Sequence, residues 1–205
     1  MKIRYKHQRF QAEATKCVSD VFQGQPKHDG SRTFLNKLGA LDFDGFGNLP
    51  LVLDNESICE NVRGVQMAEG LRPVEHLEGD GRTFTVEMET GTGKTYTYIK
   101  TMFELNKHYG WSKFIVVVPS IAIREGVYKS FQVTQEHFAE EYGKKIRFFI
   151  YNSAQLTEID RFASDSAINV MIINSQAFNA RGKDARRIYM ELDDFRSRRP
   201  IDIIA

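Results

Sequence analysis

The sequence predicts an α/β fold with a mostly parallel sheet, preceded by a helical and irregular extension. Three observations predict it. From residue 82 onward, short β-rich runs alternate with helical stretches, and the connections are long enough for parallel crossovers. Phe114-Ile-Val-Val-Val118 is a continuous apolar run, the pattern of a strand covered on both faces. Between the first β-run and the helix after it stands a Gly-rich turn, Glu87-Met-Glu-Thr-Gly-Thr-Gly-Lys-Thr95.

The elements follow in order. Phe10, Ala14, Cys17, Val18, Val21 and Phe22 have helical spacing over residues 8–23, and Gly24 then Pro26 stop that helix. Residues 24–53 are rich in Gly, Asp and Asn, with Asp44-Gly-Phe-Gly-Asn48 as the clearest turn signal and Leu49–Leu53 as a possible short strand. Asp54 suits an N-cap for a helix to about Glu69, closed by Gly70, with Ile58, Val62 and Val65 on one face. Leu71-Arg-Pro-Val and Glu78-Gly-Asp-Gly81 read as loop, and Thr83–Glu87 as a strand. A helix is expected over Lys94–Tyr109, with Gly110 just past its end, and another over Ile121–Tyr142. Strands are expected at Phe114–Val118, Ile146–Tyr151 and Ile168–Ile173, and a last helix at Asp184–Phe195. No internal repeat or low-complexity tract appears.

Composition narrows the class. The 205 residues amount to one domain with an appendage, or two small ones, against an average of ~150 per domain. Hydrophobic residues at 41% and charged residues at 27% argue against a wholly disordered chain. The net charge of +1 excludes a polycationic coat, yet it conceals an uneven distribution. Residues 1–16 carry five Lys/Arg against Glu13, residues 29–90 five basic against twelve acidic side chains, and residues 181–199 seven Arg/Lys against four Asp/Glu. Cys17 and Cys59 are too few for a disulfide framework and read as reduced thiols. No apolar run approaches the ~18 residues of a membrane span, and Met1-Lys-Ile-Arg-Tyr-Lys has no apolar secretory core, so a soluble cytoplasmic protein is expected. The histidines His7, His28, His76, His108 and His137 show no metal-ligand spacing.

The turn before Lys94 carries the chemistry. Gly91 and Gly93 let the chain bend tightly and aim backbone N–H groups at an anion. Lys94 brings a cation for the β- and γ-phosphates, and Thr95 a hydroxyl for Mg²⁺. The helix starting there adds its free amides and dipole. Thr90, Gly91, Thr92, Gly93, Lys94 and Thr95 are therefore the expected phosphate-binding residues, although Met88 occupies the position where G-x-x-x-x-G-K-[ST] has Gly. Such loops serve kinases, GTPases, motors and helicases alike.

Flanking motifs choose among these. Phe10-Gln-Ala-Glu-Ala14 resembles the Tyr-Gln-x-x-Ala element of superfamily 2 helicases, whose Gln carboxamide pairs with an adenine edge; Gln11 is the expected residue and Gln8 the alternative. Val116-Val-Val-Pro-Ser-Ile-Ala-Ile-Arg-Glu125 resembles helicase motif Ia, where Ser120, Arg124 and the helix start would hold a nucleic-acid phosphate. Ile172-Ile-Asn-Ser-Gln-Ala-Phe178 resembles the strand-end motif that contacts the same strand further along, through Asn174, Ser175 and Gln176.

Taken with Tyr5–Ala14, Val21–Pro26, Val86–Tyr98, Trp111–Gly126, Phe148–Ser153 and Ile172–Gly182, these motifs resemble the Res subunit of type III restriction–modification systems, a family that shares Met88 at the first loop position. The resemblance implies a RecA-like phosphate-loop ATPase domain over 84–205, incomplete at its C-terminus, after an N-terminal segment, 1–83, with the Gln motif and an acidic insertion. It implies ATP and Mg²⁺ as cofactors, DNA as substrate, and a methyltransferase (Mod) partner in an ATP-dependent translocase and endonuclease. The family places an Asp-Glu box shortly after the point where Ile201-Asp-Ile-Ile-Ala205 ends, so an N-terminal piece is expected, without ATPase or nuclease activity of its own. Other readings are a helicase domain from a type I restriction or repair enzyme, a non-catalytic nucleotide- or DNA-binding module, or a small-molecule kinase.

Overall fold

The computed structural model describes residues 5–35, 38, 40–152, 156–175 and 201–204. They form two compact units, one from residues 28–49 and 110 onward, the other from residues 5–27 and 50–109.

The first unit contains the sheet. Strands β3 (Lys113–Val118), β4 (Ile146–Ile150), β5 (Ile168–Asn174) and β6 (Ile201–Ile204) run parallel in the order β4-β5-β3-β6. The expected parallel pairing is present. Period-2 alternation sends one set of side chains to each face. Ile115, Met171 and Ile173 join Tyr151 and, on helix α5 (Leu156–Ser164), Ile159 and Phe162 in one core cluster. Phe148 from the adjacent register row stacks on Phe131 of helix α4 (Ile121–Tyr142), ring centroids 5.2 Å apart. Ser120 caps α4 by accepting from Ile123 N, and Gly143 closes it at φ 66°.

A β-hairpin precedes the sheet in this unit, β1 (Ser31–Leu35) pairing antiparallel with β2 (Leu41–Phe46). The sequence reading of this stretch as irregular, with a turn at residues 44–48, is corrected here. The Asp-Gly signal at residues 44–45 is spent on a β-bulge rather than a reverse turn. Gly45 sits at φ 81° where the register skips from Ser31↔Phe46 to Thr33↔Phe43, leaving an extra residue in β2. Asn48 then ties the hairpin exit to the sheet. Its Oδ1 accepts from Ser112 N and Lys113 N at 2.8 and 2.9 Å, and its Nδ2 donates to Lys113 O at 2.9 Å. Lys113 is wholly buried, its Nζ donating to Asp165 O at 2.5 Å and lying 5.4 Å from the Phe162 ring centroid.

The second unit holds three helices, α1 (Arg9–Asp20), α2 (Asn55–Ala68) and α3 (Lys94–Tyr109). The α3 bounds match expectation. Ile99, Met102, Phe103 and Leu105 of α3 are buried, and Tyr109 OH donates to Ser19 O of α1 at 2.8 Å. Asn61 on α2 donates to the carbonyls of Val21 and Gln23, closing the end of α1. Asp54 caps α2 as expected, accepting from Ser57 N at 2.9 Å. Both cysteines are free, Cys17 half-buried and Cys59 buried.

Two strand expectations fail. Residues 82–90 are not in a strand, and their side chains are largely exposed. A β-prone run becomes a strand only when a neighbour pairs its backbone; here Phe84 instead packs edge-on against Phe22. Leu49–Leu53 is likewise not a strand, because a side chain takes the ladder's place: Gln25 donates to Pro50 O and accepts from Val52 N, both at 2.9 Å. The expected helix at 184–195 lies outside the described residues. Among those described, no helix is long and apolar enough to cross a membrane.

Asn48→Ala leaves two buried amides and a carbonyl without their partner, so we expect a loss of about 2–4 kcal/mol in urea unfolding. Two hydrogen bonds from Ser57 hold the Asp54 carboxyl below its usual range. A depressed carboxyl stabilises the fold above its unfolded pKa, and that gain is lost as pH falls through the folded value. Asp54→Ala should therefore unfold more readily than the parent chain at pH 7, with the gap closing in acid denaturation series toward pH ~3.

Candidate functional site

The turn before α3 is built by satisfying its own carbonyls. Gly91 and Gly93 adopt φ 83° and 87°, conformations that side chains with a Cβ rarely take. Glu89 O accepts from Thr92 N at 3.4 Å, Thr92 Oγ1 at 2.6 Å and Lys94 Nζ at 3.1 Å. Met88 O accepts from Lys94 Nζ at 2.9 Å. Thr92 O accepts from Gln11 Nε2 at 2.8 Å, and Gly93 O from Thr97 N at 2.9 Å. A trans peptide carries its N–H opposite its C=O. Fixing the carbonyls of Thr92 and Gly93 therefore turns the amides of Gly93 and Lys94 the other way. The Thr97–Gly93 bond is also the first of the helix, so the amides ahead of it lie outside the helical ladder, where an anion finds donors and the dipole's positive end.

Side chains surround this turn. Lys94 is exposed and engages two carbonyls, leaving an ammonium with one further donor. Thr95 follows in the first helical turn, where its hydroxyl oxygen has the hardness a magnesium ion requires. A Cβ on Gly91 would meet nothing within 4 Å, so the turn is open on that side. A Cβ on Gly93 would come within 2.5 Å of Gln11 Nε2. The Gln11 carboxamide is thus bonded to the turn directly, a contact that a motif reading for adenine does not anticipate. Tyr98, one helical turn beyond Thr95, has a phenol pushed up to about 12 by burial, with the Thr95 hydroxyl opposing, and its oxygen is buried. Sequence reasoning reads Tyr98 only as part of the apolar face of this helix and gives it no site role, although its i,i+3 spacing from Thr95 is legible in a helix.

Four other expected residues gather in the unit that holds the sheet. Val118 of β3 pairs with Asn174 of β5, so Ser120 and Asn174 follow or end neighbouring parallel strands at their C-terminal edge. Ser175 continues from Asn174, and both are half-buried. Ser120 Oγ accepts from Ile123 N at 3.3 Å, which leaves its proton to donate. Arg124, half-buried in the first turn of α4, donates to Glu125 Oε1 at 3.0 Å. Ligands in open parallel sheets favour this edge. Gln176 lies outside the described residues.

Comparison with known proteins gives one consistent answer. A model of the family described as type III restriction enzyme, res subunit, matches residues 56–195. The EcoP15I Res subunit of Escherichia coli is 31% identical over 153 residues, covering 65% of this chain and 16% of that protein. The EcoPI Res subunit of Escherichia phage P1 is 37% identical over 109 residues, 52% and 11%. The StyLTI Res subunit of Salmonella typhimurium is 35% identical over 119 residues, 49% and 12%. The chain spans less than a fifth of the length of these relatives.

Gly93→Ala must hold alanine in a left-handed conformation and displace Gln11 from Thr92, so a loss of about 2 kcal/mol in urea unfolding is expected. In Gln11→Ala the carboxamide is already gone. The double variant should fall short of the summed losses by about 1 kcal/mol, the energy of the shared contact.

Proposed function

The chain belongs to the Res-subunit family of type III restriction enzymes, and from that premise we propose that it is the ATP-binding, DNA-contacting part of an ATP-dependent DNA translocase. The observation that carries this reading is the turn at residues 88–95. Its carbonyls are bonded inward, and a lysine and a threonine stand beside the outward amides.

In this reading the triphosphate lies on the amides of residues 91–95. Lys94 exchanges one of its loop carbonyls for a phosphate oxygen, which its flexible stem permits. Gln11 keeps one N–H on Thr92 and offers its second N–H and its oxygen to an adenine edge, linking base recognition to loop shape. Thr95 would hold the Mg²⁺ that arrives with the nucleotide, and that ion would supply charge neutralisation for the phosphates. Ser120, Arg124, Asn174, Ser175 and Gln176 would bear on DNA backbone, where hydroxyl and amide groups position a strand without reading its sequence. Sequence choice and DNA modification would belong to a methyltransferase partner, and cleavage to parts of the Res subunit beyond these residues.

Phosphoryl transfer depends on positioning and charge stabilisation, and a water must be oriented for attack. The 205 residues contain no Asp-Glu pair for that task. In this reading the chain by itself acts as a nucleotide cradle.

Calorimetry with Mg·ATP should give binding to the parent chain and none to Lys94→Ala; equal binding by both would contradict the assignment. A phosphate-release assay with added DNA should give turnover at the buffer background. Robust DNA-stimulated hydrolysis by these 205 residues would contradict the cradle reading.

A further inference from the structure

Tyr98 carries a polar group that the proposed function leaves unexplained. Its phenol oxygen is buried and forms no full hydrogen bond among the described residues, although the Thr95 hydroxyl stands near enough to act on it. Such a group costs stability unless something offsets it, so each native case calls for a reason. Helical side chains lean toward the N-terminus and onto the residue three or four positions earlier. From position 98 that direction leads over the turn carrying Lys94 and Thr95. Thr97 also has a buried, unpartnered hydroxyl, but residues two apart on a helix do not face each other. Tyr98 is thus the group placed to address Thr95.

We propose that Tyr98 is a positioning residue whose phenol oxygen accepts the Thr95 hydroxyl proton when the nucleotide and its divalent cation bind. This rests on the reading of residues 90–95 as the phosphate site. A threonine hydroxyl that ligates a cation must present a lone pair to it and send its proton elsewhere. With the proton directed to Tyr98, a lone pair of Thr95 would be free for the cation. A phenol suits this task because its neutral oxygen accepts without adding a charge beside the phosphates. Partners behind a metal ligand set its orientation in this way at many sites. The buried, under-satisfied Tyr98 oxygen is then a preformed acceptor.

The test compares ATP affinity in excess Mg²⁺ with that in EDTA, by calorimetry, on the full 205-residue chain. Tyr98→Phe retains the ring and its packing, and its melting curve checks the fold. One neutral hydrogen bond corresponds to about a 3- to 10-fold change in affinity. Tyr98→Phe should therefore reduce the gain in affinity on adding Mg²⁺ by about that factor and leave the EDTA value unchanged. In a Thr95→Ala background, which removes the ligand itself, Tyr98→Phe should have no further effect. An undiminished Mg²⁺ gain in Tyr98→Phe, or an equal loss with and without Mg²⁺, overturns the positioning role while leaving the phosphate site intact. Absence of ATP binding by the parent chain, or a full Mg²⁺ gain in Thr95→Ala, overturns the phosphate-site reading and this inference with it.

Discussion

A loop that offers its amides to an anion must settle its carbonyls elsewhere, and the turn at residues 88–95 does so within its own unit. The carbonyls of Met88, Glu89, Thr92 and Gly93 are taken by Lys94, by Thr92, by Gln11 and by the first bond of α3. None of these bonds is strong alone, since a typical intramolecular hydrogen bond contributes about 1 kcal/mol net. Their joint effect is directional. They fix two left-handed glycines and leave the outward face of the chain rich in donors. The proposed anion site is in this sense a by-product of carbonyl bookkeeping, and α1 is part of the turn's support because Gln11 reaches across from there.

The sheet unit rests on a parallel constraint. Its central strand, β3, begins with a fully buried lysine and a stretch of backbone that would otherwise be orphaned. Asn48 answers the backbone with three hydrogen bonds, while Asp165 O and the Phe162 face answer the ammonium. That anchoring fixes where β3 starts. Its register against β5 then brings Val118 level with Asn174, so residues far apart in sequence share one edge. The polar side chains at that edge are held by short connections to rigid strands, the arrangement that positions backbone contacts well.

Legibility followed the range of the interactions involved. The bounds of α3 and α4 were readable because local chemistry sets them: Gly93 ahead of one, Ser120 capping the other, and left-handed Gly110 and Gly143 at their ends. The parallel strands were readable from apolar runs that only a doubly covered sheet needs. The hairpin at residues 31–46 was not, because its glycine signal encodes a bulge, and bulge and turn use the same residues. Helix α5 escaped because nine residues with Ile159 and Phe162 buried make too short a pattern. Thr83–Glu87 misled for the opposite reason, since β propensity without a paired neighbour does not make a strand. Within the candidate site the loop residues were legible from their types, whereas the Gln11–Thr92 bond and the under-satisfied Tyr98 oxygen are tertiary facts.

The most direct measurement is a crystal structure of the chain soaked with Mg²⁺ and a non-hydrolysable ATP analogue. Phosphate density on the amides of residues 91–95, with the Lys94 ammonium within hydrogen-bond reach of it, is the expected result. Ordered analogue density at any other place, with that turn left empty, would contradict the account.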